Sequence, residues 1–112
     1  MSRRKILENT ASYQDNLLNS LRDPKEAAAY LQAAFDEYQL DNDFHAFLLA
    51  IRNVTKARGG ISELAKKSHL NRQSLYKTLS SSGNPKLDTF GAIMKGLGFM
   101  ITITPDKHIN RN

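Results

Sequence analysis

Residues 61–79 read ISELAKKSHLNRQSLYKTL, and the spacing of their apolar positions decides the fold. Leu64, Leu70, Leu75 and Leu79 give two short helices, 61–68 and 72–79, a shared core across a turn at His69 and Leu70. Ala65 is small where the second helix must approach the first, and Asn71 caps the second helix by residue type. With the leucines turned inward, Arg72, Gln73, Tyr76 and Lys77 remain on the outer face. That set suits the reading of DNA bases. Arg can donate two bonds to guanine, Gln can pair with adenine, and such a helix points its N-terminal end into the major groove. Asn71 and Ser74 would stand at the mouth of the groove, and Ser62, beside the free N–H groups opening the first helix, is placed to meet a phosphate. The plainer reading is a pair of surface helices with an ordinary polar exterior.

Working outward, Asp23, Pro24, Lys25 and Glu26 start a helix: Asp caps, Pro fits the first turn, and Glu falls three residues after the cap. Strong helix formers from Ala27 to Tyr38 continue it, and the polar run Asp41, Asn42 and Asp43 breaks it and can cap the next. Phe44, Phe47, Leu48, Ile51 and Val54 recur at helical spacing until Gly59 and Gly60, where positive φ is cheap. Upstream, Tyr13, Leu17, Leu18 and Leu21 make one helical stripe, whereas residues 1–12 have too few apolar groups to assign. Downstream, residues 80–85 are a loop by composition, with the run Ser80–Gly83 a flexible connector, and Leu87–Leu97 predicts another helix, stopped by Gly98. Residues 99–104, FMITIT, are β-branched or apolar and end at Pro105, which predicts one strand. A lone strand must find a partner, either its own chain or its copy in a symmetric dimer.

Composition bounds the rest. A chain of 112 residues, 40% hydrophobic and 24% charged, has material for one core and little for an enclosed active site. No apolar run approaches membrane-spanning length, and polar residues follow the basic N-terminus where a signal peptide would be apolar. A soluble cytoplasmic protein with no membrane partner is expected. The absence of cysteine excludes disulfides, thiolate zinc sites and a thiol nucleophile. Residues 1–58 balance eight basic against eight acidic side chains, but residues 59–112 hold eight against three, so the whole net charge of +5 lies in the C-terminal half. Nucleic acid is the usual partner of such a half. Lys66, Asn84 and Lys86 join Ser62 as candidates for phosphate contacts.

Other constellations are weaker. Asp36, Glu37, Asp41 and Asp43 cluster between two helices, either as a dock for a basic partner or, more plainly, as solvated capping residues. His45 has no second ligand at i+4, and Ser80–Gly83 lacks the Gly-Lys-Ser/Thr of a phosphate loop. Tyr30, Phe35, Phe44, Phe47, Phe90 and Phe99 sit at core spacing. No catalytic set, metal site or cofactor is expected.

The chain also resembles a known family. The residues that carry the likeness are Asp23, Pro24, Tyr30, Leu31, Phe44, Ala57–Gly60, Leu64, Ala65, Leu70–Lys77, Leu79, Ser80, Gly83–Pro85, Leu97 and Gly98. They resemble the addiction-module antidote proteins, prophage-type helix-turn-helix antitoxins similar to the HigA antitoxins. The likeness covers residues 20–105, and its most specific part is RQSLYKTLS followed by GNPK. It departs in the turn, where the family often has Gly-Leu or Gly-Val and this chain has His69 and Leu70. The resemblance implies a five-helix DNA-binding domain, a homodimer, repression of its own operon and a toxin partner of the RelE/HigB ribonuclease superfamily.

The expectation is therefore an all-α bundle with a lambda-repressor-like helix-turn-helix and one short C-terminal strand. Residues 1–20 would be an arm or extra helix, 21–105 the DNA-binding domain with a dimerising strand, and 106–112 a tail. The function expected is a repressor and antitoxin bound to its own double-stranded operator. A solitary regulator without a toxin, a toxin-binding module that leaves DNA alone, and an RNA-binding helical domain are the alternatives.

Overall fold

A computed structural model of the chain describes residues 3–107, with side chains described from residue 11 onward. Six helices follow in order: α1 (Arg3–Ser20), α2 (Pro24–Asp41), α3 (Phe44–Ala57), α4 (Gly60–Ser68), α5 (Arg72–Thr78) and α6 (Leu87–Gly96). Their starts are set by local chemistry. The Asp23 carboxylate accepts the Lys25 N–H at 2.9 Å with Pro24 opening α2, and the Asp43 carboxylate accepts the Ala46 N–H at 3.3 Å to open α3. Asn42 ends α2 in the left-handed region at φ 61°, donating its N–H to the Tyr38 carbonyl. At the next junction Gly59 and Gly60 lie at φ 110° and 82°, values that only glycine takes without strain.

Helix α3 is the centre of the molecule, packing on α1, α2 and α4, while α4 in turn packs on α5 and α6. Phe47, Leu48, Ile51 and Val54 of α3 are buried together with Leu21, Ala27, Leu31, Leu64, Leu75, Leu79, Ile93, Met94 and Leu97. Phe47 lies 5.1 Å from the Phe35 ring and 5.8 Å from the Phe90 ring, so aromatic edges and faces close the seam between α2, α3 and α6. Buried Asn53 is satisfied from both ends: its amide donates to the Tyr30 hydroxyl at 3.0 Å and its carbonyl accepts from Gln14 at 3.3 Å. The second of these bonds joins α1 to α3, on which α1 packs.

Two expectations are corrected. The strand expected over 99–104 is not formed, and these residues have no regular secondary structure. The reason is the partner: every other regular element among the described residues is a helix, and no sheet edge is on offer. Only the first residue of the run is tied down. Phe99 donates its N–H to the Met94 carbonyl, packs on the core and lies under the Arg58 guanidinium at 5.7 Å. The second correction is Tyr13, which is 69% exposed, because the inward stripe of α1 narrows to Leu17, Leu18 and the buried Leu21. Of the expected tail, residues 108–112 lie outside the described residues. No helix among the described residues is long and apolar enough to cross a membrane.

Candidate nucleic-acid interface

The ten candidate residues lie on α4, α5 and the stretch leading into α6, three elements joined through α4. All ten are solvent-exposed. Ser62 and Lys66 stand one turn apart on α4, and Arg72 with Tyr76 and Gln73 with Lys77 repeat that spacing on α5. The opposite face of α5 is Leu75, continued by Leu79, each 1% exposed. A seven-residue helix cannot hold itself together in water, so this buried edge and the cap decide its existence. The cap is Asn71, whose side-chain carbonyl accepts the Gln73 N–H at 2.8 Å and the Ser74 N–H at 3.3 Å. That oxygen is therefore committed to structure, and the amide nitrogen is what Asn71 can offer a partner.

The junction between α4 and α5 turns on His69, at φ 60° and ψ 26°, in the left-handed region that glycine favours. Ser68 braces the turn, its hydroxyl donating to the Leu64 carbonyl at 2.7 Å and accepting the Leu70 N–H at 3.3 Å. Because His69 is exposed and carries a Cβ at positive φ, His69→Gly is expected to stabilise the fold by about 0.5 kcal/mol. A circular-dichroism melt should rise by roughly 2–4 °C. A fall in Tm would instead assign the imidazole a structural contact.

Lys67 is matched to Glu63 at 3.6 Å on the same helix, whereas Lys66, Arg72, Lys77 and Lys86 have no ion-pair partner among the described residues. Lys86 sits at the N-cap position of α6 without a side-chain cap bond, so its ammonium is available outward. Asn84 follows Gly83, which is buried and donates its N–H to the Ser80 carbonyl at 2.9 Å. The Ser80 hydroxyl donates to the Lys77 carbonyl at 2.7 Å. The serine-rich stretch is thus a packed turn rather than a flexible connector, and it fixes where Asn84 and Lys86 emerge.

One residue with a stake in this face escaped the sequence reading. Arg52, half-buried on α3, donates its guanidinium to the Leu79 carbonyl at the C-cap of α5 and so anchors that helix to the centre of the bundle. The available signal was a basic residue flanked by the core positions Ile51 and Val54. Between α2 and α3, Glu37, Asp41 and Asp43 line an open groove together with Ala33, Ala34, Ala46 and Ala50. Asp43 caps α3 and Asp41 accepts the Asp43 N–H at 2.8 Å, which fits the capping reading of that cluster. Among the described residues no group of three or more His, Asp or Glu side chains could hold a metal ion.

Comparison with known proteins addresses the chain as a whole. No solved structure matches it. A Haemophilus influenzae protein described as "Uncharacterized protein" is 29% identical over 73 residues, which cover 65% of this chain and 74% of the relative. The family described as "Probable addiction module antidote protein" matches residues 12–105, from the second half of α1 to just beyond α6. By that match, the chain belongs to the addiction module antidote family.

Proposed function

We propose that this protein is the antitoxin of a type II toxin–antitoxin module, one that binds its own operator as a homodimer, represses its operon and neutralises a RelE/HigB-type toxin. Membership of an antidote family supplies the toxin as partner class. The toxin's type rests on the resemblance alone, above all on residues 72–80 and 83–86. The observation that carries DNA reading is the outer face of α5. Arg72, Gln73, Tyr76 and Lys77 are exposed together on a helix held from behind by Leu75, Leu79 and Arg52. Arg and Gln are the side chains that read guanine and adenine in the major groove. Lys66, Lys86, Ser62 and Asn84 flank that face and supply phosphate contacts, and Asn71 and Ser74 lie at its edge. Two copies would address half-sites about 34 Å apart, one turn of DNA.

Fluorescence anisotropy at physiological salt tests this reading. The protein is titrated onto the duplex directly upstream of its gene and onto a scrambled duplex of equal length. Preference for the upstream duplex by a factor of about 10³ or more is expected. Equal, weak binding to both would leave a toxin-binding module without operator recognition. Lys86→Ala should weaken both duplexes alike and reduce the salt slope by about one unit. A toxin-neutralising role predicts that co-expression with the product of the adjacent gene restores growth.

A further inference from the structure

Among the described residues, the segment 99–104 has β-strand composition, no strand partner and three exposed apolar side chains, two of them the most exposed large ones. Met100 is 87%, Ile101 49% and Ile103 96% exposed, in a run whose first residue is anchored to the core. In strand geometry residues 99, 101 and 103 share one face. Phe99 holds that face toward the bundle. Beside it lies an open apolar hollow of about 400 Å³ between α6 and the segment, lined by Gly91, Met94, Phe99, Met100 and Ile101 among others.

We infer that this segment pairs antiparallel with the same segment of a second copy, about a two-fold axis through Thr102. The inference deepens the two-copy reading above and rests on it; it names the surface. The sequence around Thr102 is self-complementary. Antiparallel pairing on that axis sets Ile101 opposite the partner copy's Ile103 and places Thr102 opposite itself. The four isoleucines then form one apolar strip on the α6 side, with each copy's Ile103 carried over the hollow beside the other's Ile101. No charged residue lies within 99–104, so self-pairing opposes no like charges. Pro105, which has no N–H, ends the ladder at the same place on both sides. A two-stranded ribbon is marginal alone, which is why the apolar strip and the hollow matter to the pairing.

The absence of cysteine in the chain makes the register directly readable. Directly opposed residues in such a pair have Cβ atoms about 4.5–5.5 Å apart, at or beyond the roughly 3.5–4.5 Å of a disulfide, so a short thiol-to-thiol cross-linker is used to join them. Thr102→Cys should therefore give a cross-linked dimer on denaturing gels, in the absence of DNA. Met100→Cys and Thr104→Cys should each remain uncrosslinked alone and should join when mixed, since those positions oppose one another. Ser81→Cys, exposed in the turn before α6, is the background. Sedimentation of the unmodified full chain should give twice the 12.6 kDa of the monomer. Ile103→Lys should shift it to monomer with an unchanged helical spectrum.

Cross-linking of Thr102→Cys no greater than Ser81→Cys overturns the interface, as does equal cross-linking of Met100→Cys alone. A sedimenting dimer without the Thr102 cross-link removes this surface but keeps the two-copy reading. A monomer removes both, and operator binding, measured separately, is judged on its own result.

Discussion

Arg72→Ala is expected to cost about 1–3 kcal/mol of binding to the upstream operator, a loss of about 5- to 150-fold. The side chain stands at the first position of α5, exposed and without a carboxylate partner among the described residues, so none of these competes for its donors. The loss should be much smaller on scrambled DNA, because a bidentate contact to guanine is made only where guanine is presented. Anisotropy on both duplexes separates the two cases. An equal loss on both would demote Arg72 to a phosphate contact, and no loss on either would remove α5 from the interface. The helical spectrum should not change, since the cap of α5 belongs to Asn71 and its buried edge to Leu75 and Leu79.

Gly83→Ala should destabilise the fold by about 1–3 kcal/mol or more, the range of overpacking. A Cβ at Gly83 would stand 1.8 Å from the Thr78 carbonyl oxygen and 2.6 Å from its carbon. Both are backbone atoms, so relief requires moving the chain and not a side chain. Thr78 is the last residue of α5, and the next residue closes the helix by donating its N–H to the Leu75 carbonyl at 2.9 Å. The substitution should therefore lower Tm by roughly 4–8 °C for each kcal/mol and weaken operator binding in the same protein. Gly91→Ala is the matching comparison. It lies within α6 with nothing inside 4 Å of the added carbon, so a gain of about 0.5–1 kcal/mol is expected. A melt in which Gly83→Ala matches the unmodified protein would show that the turn yields freely.

The starts of α2, α3 and α5 were legible because capping is local: Asp23, Asp43 and Asn71 each bond an N–H two or three residues ahead. The inward placement of Leu64, Leu75 and Leu79 and the outward placement of the seven candidates on α4 and α5 follow from helical spacing in the same way. The turn at His69 was legible from the leucine spacing on either side, but its left-handed backbone was not, since the residue type does not demand it. What could not be read depends on distant partners. The N-terminal half of α1 has little apolar patterning, and a hydrogen bond from Gln14 to Asn53, 39 residues away, helps to hold the helix. Residues 99–104 have the composition of a strand, but composition cannot supply a neighbour. Gly83 looked like punctuation in a loop, and its burial against the Thr78 backbone exists only in three dimensions.

The separation of duties on α5 bears on how such a protein could change over time. Leu75, Leu79 and Asn71 hold the helix, while Arg72, Gln73, Tyr76 and Lys77 make no side-chain bond to the rest of the described molecule. Four positions can therefore vary with little penalty in folding, and surface substitutions of this kind usually stay within about 0.5 kcal/mol. Under the proposed function, a duplicated copy could acquire a new operator by drift at those four positions alone. Its repression would become insulated from its parent's while its scaffold stayed unchanged.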